Sequence, residues 1–273
     1  MNKLSKGIKK STNFCDHCYS KGYVIFMNGN FANARICDCI NDCNECEGRG
    51  SIINRSEKGY TYVSPCNRCG FIRRNVKLYN LSGIPSKYHN VLLVDSFKPG
   101  RLKSHQIALQ YVKSFVLLYP EKKGFLLMGA SGSGKTHLAV GAISELTLEH
   151  GVPCTFKDFF YLLSELKEAY SRGTSENEII LPLIDAEVLV IDELGKAKSS
   201  DWELNILDQL ISKRYNSSKV TLITTNYISS KESEDTEDTN QILEIRVGER
   251  ISSRLYEMCK FIHLKGEDYR KKI

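Results

Sequence analysis

Residues Gly129-Ala130-Ser131-Gly132-Ser133-Gly134-Lys135-Thr136 match G-x4-G-K-[ST] in full. Small residues let backbone N–H groups curl around a β-phosphate with no Cβ in the way. Lys135 brings a cation to the β- and γ-phosphate oxygens, and the Thr136 hydroxyl can ligate Mg2+. A helix opening at His137 would turn its positive N-terminal end on the same phosphates. The loop therefore predicts ATP with Mg2+ as the ligand. Three further groups have the residue types to complete such a site. The run Val188-Leu189-Val190-Ile191 ends in Asp192-Glu193. A buried strand would deliver Asp192 to the metal and Glu193 to the attacking water as general base. Leu222-Ile223-Thr224-Thr225-Asn226 would place an amide at a strand end beside the γ-phosphate; the plainer reading is a strand cap. Arg250 and Arg254 stand four residues apart on one helix face. Such a guanidinium could reach a neighbour's γ-phosphate, and the plainer reading is a salt-bridged helix face.

The second chemistry is that of sulfur. Eight of the ten cysteines fall between Cys15 and Cys69. They form two units with a 28-residue offset between their first Cys pairs: Cys15, Cys18, Cys37, Cys39 and then Cys43, Cys46, Cys66, Cys69. Clustered Cys-x-x-Cys pairs in a reducing compartment point to metal rather than disulfide. Four thiolates close a tetrahedral zinc site and leave no open position, so two structural Zn2+ ions are expected. The pairs can share metal sequentially or in a nested arrangement (Cys15, Cys18, Cys66, Cys69 with Cys37, Cys39, Cys43, Cys46). The repeat favours the sequential scheme, with His17 a bystander.

These groups need scaffolds. Strand-like apolar runs lie at Gly124–Met128, Pro153–Phe156, Val188–Ile191, Val220–Thr224 and Phe261–Leu264, with helical stretches between them. That alternation predicts an α/β domain around a parallel sheet. Asp201–Tyr215 sets Trp202, Ile206 and Leu210, flanked by Leu207 and Ile211, on one helical face suited to packing on the sheet. A second helix is expected near Ser104–Leu118. The chain divides into a cysteine-rich, β-rich zinc-binding module at 11–70, a connector at 71–120 and an ATPase domain at 121–273. Residues 1–80 carry 13 basic and 6 acidic residues, a net of +7, and the rest of the chain is near neutral. Eight metal-bound thiolates would reduce that excess, so a nucleic-acid role for the module is permitted but not compelled. No apolar run is long enough for a membrane span, and no secretion signal follows the basic N-terminus. The cytoplasm is the expected compartment.

Taken in order, IPSKY, GASGSGKTHLA, TFKDFFYLLSELKEAY, VLVIDELG, LITTN, GERISSRL and GEDYR resemble the AAA+ ATPases of the DnaC type, the bacterial and phage replicative helicase loaders, and the related IstB-type transposition helpers. The resemblance covers about residues 80–273. It implies a three-layer phosphate-loop fold without a C-terminal lid domain. It also implies that Lys135 and Thr136 bind nucleotide and metal, that Asp192 and Glu193 form the Walker B pair, and that Asn226 is sensor 1. Arg254 becomes an arginine finger acting in a neighbouring subunit, which requires self-association, and Arg270 a further nucleotide-sensing arginine. The implied activity is weak ATP hydrolysis, stimulated by a partner or by single-stranded DNA. The implied partners are a replicative DNA helicase and single-stranded DNA, the latter met by Lys157 before Phe159, Phe160 or Tyr161; the plainer reading of these aromatics is the core face of a helix. The CNECEGRG string also resembles the cysteine-rich region of DnaJ chaperones, where outer Cys pairs share one zinc and inner pairs another. A zinc-dependent chaperone or adaptor is therefore a third functional class. The acidic stretch Ile228–Gln241 departs from the loader pattern and is expected to be a surface loop.

Overall fold

The structure is a computed structural model that describes residues 15–41, 43–93, 102–196, 200–232, 241–266 and 268–269. Two antiparallel hairpins come first. β1 (Tyr23–Asn28) pairs with β2 (Phe31–Ile36) across a tight turn at Gly29-Asn30, with Gly29 at φ 56°. A short helix, α1 (Asp38–Asn41), links it to β3 (Ser51–Arg55), which pairs with β4 (Thr61–Pro65). α2 (Gly70–Leu81) follows, and Ser86–Tyr88 of the IPSKY sequence form one 3-10 turn.

The sheet of the large domain contains β5 (Gly124–Met128), β6 (Cys154–Asp158), β7 (Val188–Leu194), β8 (Val220–Thr225) and β9 (Cys259–His263). Its order is β6-β7-β8-β5-β9, and every neighbouring pair is parallel. Each of the five predicted apolar runs forms a strand: Gly124–Met128 is unchanged, and the other four differ by one to three residues at one or both ends. The runs are continuous rather than alternating because both faces are covered. Phe125, Leu127, Val188, Val190 and Leu222 pack on one side. Leu126, Met128, Leu189, Ile191 and Ile223 pack on the other.

The first face is covered by α2, α3 (Lys103–Leu117) and α4 (Lys135–Leu148). The second carries α5 (Phe159–Ser171), α6 (Glu176–Asp185), α7 (Asp201–Asn216), α8 (Leu243–Val247) and α9 (Glu249–Met258). A capping box between Ser200 and Glu203 starts α7. Its predicted stripe is buried at Ile206, Leu207, Leu210 and Ile211, while Trp202 is half-buried against Tyr170. Arg214 on the same helix is fully buried, which the apolar pattern does not reveal. Its guanidinium donates to the carbonyls of Leu183, Ile184, Ala186 and Val220 and to the Thr221 hydroxyl. Burial pulls its pKa down to about 10. Among the described residues, no helix is long and apolar enough to cross a membrane.

Candidate nucleotide-binding site and metal centres

The phosphate loop joins the C-terminal end of β5 to the first turn of α4. Gly129, Gly132 and Gly134 all have positive φ, at 139°, 75° and 97°. At Gly129 a Cβ would stand 2.3 Å from the Leu264 carbonyl oxygen, so both backbone conformation and space demand glycine there. Lys135 is buried, and its ammonium donates to the carbonyls of Gly129 and Ala130, each at 2.8 Å. It thus lies inside the loop it would share with phosphate. Ala130 and Ser131 are exposed at the rim, and His137 is half-buried in the first turn of α4.

β7 brings the acidic pair to this side of the sheet, and β8, between β7 and β5, adds Thr224. The Thr136 hydroxyl donates to Asp192 Oδ1 at 2.8 Å, and the Thr224 hydroxyl donates to the same oxygen. Asp192 is 6 % exposed. Burial pushes its pKa up and the charges of Glu193 and Asp158 add to the effect, while the two hydroxyl donors oppose it. A divalent cation at Thr136 and Asp192 would remove the cost of that buried charge, so the donor set fits Mg2+. β7 loses its regular register on β8 between Ile191 and Leu194. Glu193 occupies that irregularity at φ 56°, its amide donating to Thr224 Oγ1 at 3.1 Å. A non-glycine residue in this region is strained, and here the strain turns the Glu193 carboxylate off the strand, where it meets Lys196. Asp158, at the end of β6, stands in register with Asp192 and caps α5 through the Tyr161 amide. Burial raises its pKa first, and Glu193 adds to that. Sequence inspection missed Asp158, although an Asp before a helical run is a capping signal.

β8 lies between β7 and β5. Asn226, exposed in the bend after β8, therefore emerges between the Asp192-Glu193 turn and the phosphate loop. Arg254 does not turn toward this chain's own loop. It pairs with Asp208 of α7 at 3.3 Å and stands over the Tyr215 ring. Arg250 approaches the same carboxylate at 3.6 Å. Lys157 is ion-paired with Glu165, Phe159 is buried, and Phe160 and Tyr161 are exposed at 46 % and 68 %. In this structure the cation is thus engaged while the two aromatics are open to solvent. Arg270 and most of the acidic stretch, 233–240, lie outside the described residues. Ile228, the first residue of that stretch, bridges to Ile242, the residue just after it.

The thiols fall into two groups, Cys15, Cys18, Cys37, Cys39 and Cys43, Cys46, Cys66, Cys69, each spanning no more than 4.8 Å. This is the sequential arrangement and not the nested one. Sulfur pairs lie 3.5–3.8 Å apart. Thiolates about 2.3 Å from one zinc ion stand about 3.8 Å from one another, so both groups fit that ion. No cysteine is in a disulfide.

The family model of the IstB-like ATP binding protein matches residues 87–273. The chain belongs to this family. It is similar to the phage-like element PBSX protein XkdC of Bacillus subtilis, with 27% identity over 240 residues and 84% of each chain covered. It is 28% identical over 212 residues to the replicative helicase loader DnaC of Escherichia coli K12, covering 76% of this chain and 80% of that one. A crystal structure of the DnaC helicase loader superposes with TM-score 0.57 at 32% identity, over 66% of this chain and 99% of that one. AMPPCP-bound DnaA from Aquifex aeolicus shares the fold at TM-score 0.51 and 18% identity, over 67% and 53% of the two chains. The IstB-like member described here is therefore an ATP-binding, phosphate-loop protein of the AAA+ fold.

Proposed function

We propose that this IstB-like protein is an ATP-dependent loader of a replicative DNA helicase. Thr136 and Asp192 sharing one hydrogen bond beside the phosphate loop is the observation that carries the ATP-driven part of this reading. Similarity to the DnaC loaders supports the rest. In this reading the Gly129–Thr136 loop holds the phosphates, with Lys135 moving from its carbonyl partners onto the β- and γ-oxygens. Thr136 and Asp192 hold Mg2+, Glu193 polarises water once released from Lys196, and Asn226 orients that water. Hydrolysis is slow and is stimulated by the partner or by single-stranded DNA. Exposed Phe160 and Tyr161 supply stacking surfaces for that strand. Arg254 acts as a finger in a neighbouring copy, for which it must leave Asp208. The cysteine module at 11–70 holds two zinc ions and grips the helicase, with 71–120 connecting it to the ATPase at 121–273. The site of action is the cytoplasm.

The test is capture of the replicative helicase with and without ATP, alongside ATP turnover with and without single-stranded DNA. No helicase capture in either nucleotide state would sink the loader reading. Arg254→Ala is expected to lower stimulated turnover at least tenfold, and unchanged turnover would remove the finger. The family description favours a second reading, an IstB-type transposition helper. Under that reading the protein binds duplex DNA with ATP and retains a transposase, and ignores the helicase.

A further inference from the structure

The outer side of the phosphate loop is held by two segments remote in sequence. A peptide plane sets the carbonyl of one residue antiparallel to the N–H of the next. A peptide whose N–H faces a phosphate therefore turns its carbonyl outward, toward a donor outside the loop. Lys135 takes the carbonyls of Gly129 and Ala130 from inside the loop. The Tyr269 amide donates to the Gly132 carbonyl at 3.3 Å. His105 Nε2 lies 3.0 Å from the Ser133 carbonyl. A carbonyl only accepts, so His105 carries its proton on Nε2.

We propose that His105 is a positioning residue for ATP binding: by donating to Ser133 O it fixes the Ser133–Gly134 peptide with the Gly134 N–H turned into the phosphate cradle. His105 is fully buried in the first turn of α3, 28 residues before Ser133. Gly134, at φ 97°, has a left-handed backbone that its own sequence does not enforce, because glycine visits both signs of φ freely. An outside donor at Ser133 selects one orientation before any phosphate arrives. The same turn of α3 gathers the segment after β9. The Ser104 hydroxyl donates to the Lys265 carbonyl at 3.3 Å, and the edge of the His105 ring meets Tyr269 at 5.4 Å and 89°. Tyr269 then reaches Gly132. Positions 105 and 269 therefore brace adjacent carbonyls of one loop.

This inference rests on the ATP-binding reading, and the experiment separates the two. Binding of fluorescent ATP and ADP analogues is measured for wild type, Lys135→Ala, His105→Leu, His105→Asn and His105→Gln, with thermal melts of each. A wild type that binds neither nucleotide sinks the ATP reading itself. With wild type binding, His105→Leu is expected to weaken both nucleotides about tenfold, the worth of one well-aimed hydrogen bond. Gln places an amide nitrogen near the place of Nε2 and is expected to restore affinity to within about twofold. Asn falls short of Ser133 and is expected to behave as Leu does. The inference fails if Leu binds as wild type, if Gln loses as much as Leu, or if neither Leu nor Asn folds while Gln does. The last outcome would make His105 a requirement of the fold alone.

Discussion

Cys18 and Cys46 hold the same place in the two cysteine units, and each sulfur accepts an amide hydrogen bond from a glycine four residues on, Gly22 or Gly50, at 3.3 and 3.2 Å. The surroundings of the two units then diverge. Tyr23, Ala32 and Ala34 of the first hairpin belong to the same buried cluster as the ATPase sheet. The Asn80 side chain of α2 bonds both the amide and the carbonyl of Ala34, acting as an extra strand beside β2. Phe31 bridges to Pro85, and the Tyr23 hydroxyl donates to Glu149 at the end of α4. α4 starts in the phosphate loop, so one helix has nucleotide groups at one end and the first metal unit at the other. Among the described residues, none of the second hairpin belongs to that cluster. Its buried cluster consists of its four thiols, with Ile40 and Ile52 beside them. Ile53, Tyr60, Tyr62 and Val63 are exposed at 53–73 %. Similar but not identical ligand spacing has produced one unit packed into the core of the large domain and one whose buried cluster is little more than its four thiols.

Single-ligand changes test this contrast hardest. Cys37→Ser is expected to cost on the order of 5 kcal/mol or more and to lower melting temperature and ATP affinity together. Cys66→Ser is expected to remove one of two zinc equivalents in a colorimetric assay and leave ATP binding intact. Equal loss of ATP binding in both variants would break the comparison. Asn80→Ala leaves the Ala34 amide and carbonyl without these partners, and denaturant unfolding should show a loss of about 2 kcal/mol. Tyr23→Phe removes one hydrogen bond to an exposed carboxylate, and the same measurement should show about 1 kcal/mol, with zinc content unchanged. Ile53→Ser with Val63→Ser, a cross-strand pair on the open hairpin, should change stability by no more than about 0.5 kcal/mol. If this hairpin is the helicase grip, that pair lowers helicase capture while ATP binding persists. Unchanged capture would move the grip elsewhere.

The loader proposal and the His105 proposal draw on different parts of the same loop. Lys135, Thr136 and Asp192 concern what the loop binds. His105 and Tyr269 concern how the loop is held before anything binds. A variant that spares the first set and disturbs the second distinguishes a deformable loop from one shaped in advance.

The amino-acid sequence alone determined the phosphate loop, the Asp192-Glu193 strand, the parallel α/β class and the eight metal-type cysteines. Each is written within a few consecutive residues or in one repeated spacing, and local geometry follows from such spacing wherever the chain goes. Both sequential and nested metal pairing satisfied the same spacing, and only folded hairpins chose between them. Only the tertiary structure strained Glu193 into a left-handed bulge, since that requires Thr224 on the next strand to accept its amide. It turned Arg254 onto Asp208, and it closed Lys157 on Glu165 while leaving Phe160 and Tyr161 open. It also brought His105 to Ser133 and Asn80 to Ala34. These are contacts between residues on different elements, and no local pattern carries them. A buried donor is assigned to its acceptor only when packing has excluded water and every other partner.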